Sequence, residues 1–155
     1  EEPGYNIEPS EMGAAFGLVQ LGKLPNNIDL RTAHYQRIRK FFEQYEEHFI
    51  LPKQLPNSRT GWLAFAVTIR ETAPFIRRDL QIFLEKRNIQ TRTVFTGNIL
   101  RQPGFKHCAH KASAAGYTEA DKVMRGGMLM ACHHGLNDTQ INHMMESVTE
   151  FMKEI

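Results

Sequence analysis

The chain has 155 residues, 41% of them apolar and 23% charged, with a net charge of +2 from 19 basic and 17 acidic side chains. That length allows one ordinary domain, long enough to bury a core without a metal or disulfide staple. The composition excludes a disordered chain, the charge balance gives no reason to expect a nucleic-acid partner, and no apolar run reaches the length of a membrane span.

The opening EEPGYNIEPS is acidic and has no apolar h-region, so no signal peptide is expected. Two cysteines, Cys108 and Cys132, are too few for a disulfide framework, and a reducing cytoplasm is the simplest compartment. Basic residues between Arg31 and Lys40, and at Arg77, Arg78, Lys86 and Arg87, alternate with acidic ones and read as solvated helix faces.

In chain order, Ser10 is placed to cap a first helix that runs to Lys23. Met12, Ala14, Ala15, Phe16, Leu18, Val19 and Leu21 cover nearly its whole circumference, a pattern that belongs inside a larger core. Its usual cover is therefore expected to lie elsewhere. Pro25 is expected to start a second, amphipathic helix over 26–48. LPKQLPNSRTG is a loop. We place a boundary there, with 1–50 as the end of a larger unit plus connecting helices and 51–155 as a compact domain. WLAFAVTI, 62–69, reads as a central strand. A helix over 75–87 follows Pro74, with Phe75, Leu80, Ile82, Phe83 and Leu84 as its core face. Residues 90–95 alternate as a second strand, and the long loop 96–117 marks a functional segment. Thr118 opens a short helix with Asp121 at a capping-box position, and 128–131 is a short strand. Asn137 and Gln140 form a capping box for a last helix that buries Ile141, Met144, Met145, Val148, Phe151 and Met152. The expected architecture is α/β: a two-layer sandwich of helices on one face of a small mixed sheet, preceded by long helices.

Cys108, His110, Cys132, His133 and His134 are metal-ligand types, but C-x-H and C-H-H lack the paired spacing of a structural zinc site. We read them as polar loop residues and assign no metal. No nucleophile elbow, phosphate loop or dinucleotide fingerprint is present.

GYNIEPSEMGAAFGLVQLGKLP, with Gly4, Tyr5, Asn6, Ser10, Ala14, Ala15, Gln20, Leu21, Lys23 and Leu24, resembles the segment that follows the cofactor-binding residue in the DegT/DnrJ/EryC1/StrS sugar aminotransferases. TRTVFTGNILRQPGF, with CHHGL further on, is similar to the 3-dehydratase branch of that family, that of CDP-4-keto-6-deoxyglucose 3-dehydratase and its lipopolysaccharide-synthesis relatives. The resemblance runs from Gly4 to the last helix and departs at KASAAG, 111–116.

This resemblance implies the C-terminal part, with the small domain, of a fold type I enzyme dependent on pyridoxal phosphate or pyridoxamine phosphate. It implies a 3-dehydratase of nucleotide-linked 4-keto-6-deoxyhexoses for surface-polysaccharide synthesis. A sugar aminotransferase and a non-catalytic binding or oligomerisation module are the alternatives. It further implies that the catalytic residues and the coenzyme belong to a large domain outside this chain, so the isolated chain is expected to be inactive and to bind no coenzyme. Asn6 is the implied contact to the coenzyme phosphate of a neighbouring subunit. Phe95, Thr96, Asn98, Arg101, His133 and His134 are the implied contacts to the nucleotide-sugar, and a homodimer or higher homo-oligomer is the expected assembly.

Overall fold

A computed structural model describes residues 9–155. Asn6, with Gly4 and Tyr5, lies outside the described residues. The elements in chain order are α1 (Glu11–Phe42), β1 (Phe49–Ile50), β2 (Ala64–Ile69), α2 (Arg77–Glu85), β3 (Arg92–Thr93), α3 (Thr118–Gly126), β4 (Gly127–Ala131) and α4 (Asp138–Glu154). Short 3-10 turns cover 43–45, 99–101 and 103–105.

The expected pair of helices is one helix of 32 residues, with Pro25 inside it. A proline removes one backbone donor, and here the carbonyl left behind belongs to Leu21, on a solvent-exposed turn. Ser10 caps the start as expected, its Oγ accepting from Gly13 N at 3.1 Å. The second half of α1 docks through Tyr35, Ile38 and Phe42, all buried and spaced to lie on one face.

The sheet has the order β1-β2-β4-β3 and every pairing is antiparallel, so it is not the mixed sheet expected. No parallel crossover is needed, because each neighbour runs back alongside the last. β2 occupies an interior position, as its apolar run predicts, but starts at Ala64, two residues late. Its buried residues alternate with half-buried ones. Phe65 sits opposite Met130 and Val67 opposite Met128, placing these four on the helix-covered face. Ala64, Ala66, Leu129 and Ala131 take the other face. β1 was not expected; it pairs Phe49 with Ile69 and puts residues before 51 into the same sheet.

The core is aromatic. Phe42 meets Phe49 edge-on at 5.1 Å and lies tilted by 30° against Phe65 at 5.3 Å, and Phe75 meets Phe151 edge-on at 5.0 Å. Each buried ring contributes about 1.5–3 kcal/mol by leaving water, and such pairs add about 0.5–1.5 kcal/mol. Leu80, Leu84, Ile141, Met144, Val148 and Phe151 close the layer. Ile82 is exposed, and Phe83, Met145 and Met152 are only partly buried, at the edge of that layer. At one end of β2, the single tryptophan, Trp62, stacks on Tyr35 with ring centroids 3.5 Å apart and planes 6° from parallel.

α4 is capped as read: Gln140 N donates to Asn137 Oδ1 at 2.9 Å and Asn137 N to Gln140 Oε1 at 3.0 Å. α3 is not. Tyr117 is its N-cap residue and offers no side-chain bond, and Asp121 points elsewhere. At the C-terminus of α3, Arg77 Nη1 donates to the carbonyls of Met124 (2.8 Å) and Gly127 (3.1 Å), where a cation is favoured. Gly126 is required by contact: a Cβ there would lie 2.3 Å from the Ile69 carbonyl oxygen.

Candidate functional site

β3 spans two residues rather than the six expected, because the chain turns sharply after Val94. Phe95 has φ +47° and Gly97 φ +67°, both in the left-handed region. The short β3 leaves Met130 and Ala131 of β4 without a partner on that side, since β3 pairs only with Met128 and Leu129. A groove of about 940 Å³ opens along this edge, between β4, the segment 88–95 and the first turns of α4. Leu63, Ile89, Leu129, Leu136 and Met144 give it an apolar floor, and Arg92, Phe95, His133, Gln140 and His143 give it its rim.

The two histidines present different nitrogens. His133 Nδ1 accepts from Gly135 N at 3.2 Å, so in the neutral ring the proton sits on Nε2. His143 Nε2 donates to the Arg87 carbonyl at 2.9 Å, which leaves Nδ1 as an acceptor. The groove therefore offers one imidazole donor, one imidazole acceptor, the Arg92 guanidinium and the Gln140 amide. That set binds and orients a polar ligand on an apolar bed.

Of the residues singled out in the sequence, Phe95 and His133 line this groove. Thr96 and His134 are exposed beside it and do not line it. Asn98 and Arg101 belong to a separate cluster centred on Asp121. Asn98, 4% exposed, donates through Nδ2 to Asp121 Oδ1 at 2.7 Å. Arg101 donates through Nε to Oδ1 (3.2 Å) and through Nη2 to Oδ2 (2.9 Å). The bonds from Arg101 first and Asn98 second favour the charged carboxylate, pulling Asp121 down to about 2. Arg101 keeps much of its side chain in solvent, with Nη1 directed to no acceptor of this cluster. Gln140 and His143 in the groove, and Asp121 in the cluster, were missed as site residues. The local pattern marks both Gln140 and Asp121 only as caps, and Asp121 lies 20 residues or more from its partners, beyond the reach of such a pattern.

Cys132 is buried, and desolvation pushes its thiol up to about 11, so it is neutral and unreactive at physiological pH. Cys108 is exposed. Among the described residues no three His, Cys, Asp or Glu side chains converge as a metal set would.

The sequence profile of the DegT/DnrJ/EryC1/StrS aminotransferase family matches residues 1–149. A dTDP-4-dehydro-2,6-dideoxy-D-glucose 3-dehydratase of Saccharopolyspora spinosa is 34% identical over 149 residues, which is 96% of this chain and 32% of that protein. The lipopolysaccharide biosynthesis protein RfbH of Salmonella typhimurium is 28% identical over 148 residues, 96% of this chain and 34% of that protein. The chain thus spans about a third of the length of these relatives. The solved structure of the E. coli GDP-4-keto-6-deoxy-D-mannose-3-dehydratase superposes with a TM-score of 0.83 at 24% identity, over 94% of this chain and 37% of that one. At that identity the likeness establishes the fold alone, helices packed on a small antiparallel sheet.

Proposed function

The chain belongs to the DegT/DnrJ/EryC1/StrS aminotransferase family, and from that premise we propose that it is the C-terminal part of a 3-dehydratase acting on nucleotide-linked 4-keto-6-deoxyhexoses in surface-polysaccharide synthesis. One observation carries this reading. The relative matched across 96% of the chain at 34% identity is named a 3-dehydratase of a nucleotide-linked 4-keto sugar. The TGNILRQP segment, by which the chain resembles that branch, supports it: residues 94–102 form a hydrogen-bonded hook beside the groove.

Pyridoxal phosphate, in the whole protein, supplies the electron sink for such an elimination. The described residues do not fit it by themselves. No lysine lines the groove, and no carboxylate there is placed for a ring nitrogen. Asp121, the most strongly perturbed carboxylate, is engaged by Asn98 and Arg101 instead. The part played by this chain is to bind and orient. Phe95, Thr96, Arg101, His133 and His134 meet the nucleotide-sugar, the His133 Nε2–H and the free Nη1 of Arg101 donating to sugar or phosphate oxygens, while Asn98, expected as a contact, is buried and bonded at both ends of its amide and holds the hook instead. Asn6 reaches the coenzyme phosphate of a neighbouring subunit. The exposed apolar half of α1 is covered by the remainder of the protein and by a second copy, in a cytoplasmic homodimer.

The test gives the whole protein, loaded with pyridoxamine phosphate, a CDP-, dTDP- or GDP-linked 4-keto-6-deoxyhexose. Loss of water at C3 is the expected outcome. Stable amination at C4 instead assigns a sugar aminotransferase, and no turnover together with assembly assigns a binding module. The 155-residue chain alone is expected to show no coenzyme absorbance. A band stoichiometric with the chain overturns that expectation.

A further inference from the structure

The segment 94–102 is more constrained than a connecting loop needs to be. Thr93 Oγ1 donates to the Phe95 carbonyl (3.1 Å), Gly97 N to the Val94 carbonyl (3.0 Å), Leu100 N to Asn98 Oδ1 (3.1 Å) and Gln102 Nε2 to the Thr96 carbonyl (3.0 Å). Asp121, on α3, then gathers Asn98 and Arg101 through three further bonds. Gly97 rests so closely on α3 that a Cβ would lie 2.3 Å from Met124 Cα, so hook and helix share one fixed position.

What this scaffold holds is Phe95. Its φ of +47° is a conformation that a bulky residue keeps only where its surroundings over-determine it. Its ring is nevertheless 89% exposed, so the strain is not offset by burying the ring within this chain. The ring stands on the rim of the groove that carries Arg92, His133 and Gln140. A flat aromatic face beside a guanidinium and hydrogen-bonding groups matches a nucleoside diphosphate: π-face for base, cation for phosphate.

We propose that Asp121 is a positioning residue whose carboxylate, by gathering Asn98 and Arg101, sets the 94–102 hook and so holds Phe95 out as the face on which the base of a nucleoside diphosphate stacks. This rests on the nucleotide-sugar reading above and adds to it how the nucleotide is held.

The experiment titrates the whole protein with CDP, GDP and dTDP by calorimetry. The wild type binds at least one of them. Phe95→Ala weakens that binding about tenfold, the scale of one base–aromatic stack, and Phe95→Tyr restores it. Asp121→Ala weakens it by a similar factor. Because Asp121 acts through the hook that carries Phe95, the double variant falls well short of the roughly hundredfold loss to which independent effects would multiply. If Asp121→Ala does not fold, Asp121→Asn shows a smaller loss in the same direction. Wild-type affinity in Phe95→Ala overturns the inference and leaves the nucleotide-sugar reading standing. A hundredfold loss in the double variant, or an unchanged affinity in both Asp121 variants, also overturns it. So does a lowered unfolding temperature of Phe95→Ala with unchanged affinity, which makes the ring a packing contact to another part of the protein. If the wild type binds none of the three nucleotides, this inference and the nucleotide-sugar reading fail together.

Discussion

The two halves of α1 share one helix and comparable apolar content, yet only one is buried. In residues 11–26, Met12, Phe16, Leu18, Val19, Leu21 and Leu24 are all exposed, Phe16 at 68%. In residues 27–42, Tyr35, Ile38 and Phe42 are buried almost completely. The difference is angular phase. Tyr35, Ile38 and Phe42 fall three and four residues apart and make one stripe, which a single sheet and helix layer covers. The first half is apolar all round, and one layer cannot cover a cylinder. Apolar content sets how much a helix gains from burial, and its distribution sets how many neighbours the burial takes.

The comparison is broken most directly by truncating one ring in each half. Phe42→Ala is expected to lower the chain's stability in urea by about 3–5 kcal/mol, the cost of a cavity among Phe49 and Phe65. Phe16→Ala, at concentrations too low for the chain to associate, is expected to change it by less than about 0.5 kcal/mol. Equal costs would mean that both halves are buried in solution.

Pro25→Ala probes the junction. It restores a donor to the Leu21 carbonyl and removes a penalty of about 3 kcal/mol from the helix. The gain is expected locally, as slower amide exchange over 11–26, with the global unfolding midpoint nearly unchanged. A matching rise in the global midpoint contradicts the separation of the halves.

Phe16→Asp sharpens the same contrast in the assembly. Where the first half pairs with a second copy, the variant places two charges near one another in a dry interface. Sedimentation of the chain is expected to show association weakened by about tenfold or more. A wild type that remains monomeric at high concentration removes self-pairing as the cover.

The smallest effect concerns the Asp121 cluster. With a carboxyl held down at about 2 against the ordinary 3.8, its contribution to stability is fully present above pH 3.8 and fades as pH falls through about 2. A carboxyl NMR titration is expected to find that low midpoint, and Arg101→Gln is expected to move it up. An unmoved midpoint makes Arg101 a bystander.

Local signals were legible and distant ones were not. Asn137 and Gln140 sit three residues apart and cap each other as their spacing dictates. The β2 run, bounded by Gly61 and Arg70, declared an interior strand. Pro25 misled, because a missing donor and a ring crowding the carbonyl four residues back usually end a helix, and here α1 continues through both. β1 is two residues long and exists through its pairing with Ile69 and Thr68, information that Phe49 and Ile50 do not carry alone. Asp121 looked like a cap because it follows Thr118 by three, and tertiary partners on the hook took its carboxylate instead. The hook itself was legible as a motif, from a family resemblance, and the separation of its Asn98 and Arg101 from the His133 groove rim was not.

The stack of Trp62 on Tyr35 joins the buried half of α1 to the end of β2, and it contains the chain's one indole. Intrinsic fluorescence therefore reports the docking of that half and nothing of residues 11–26. Far-ultraviolet circular dichroism counts every helical turn, the undocked ones included. In a denaturant series the ellipticity of this chain is expected to begin to fall before its emission shifts. Two optical probes of one small protein then trace different curves, and a single unfolding free energy fitted to both has no meaning.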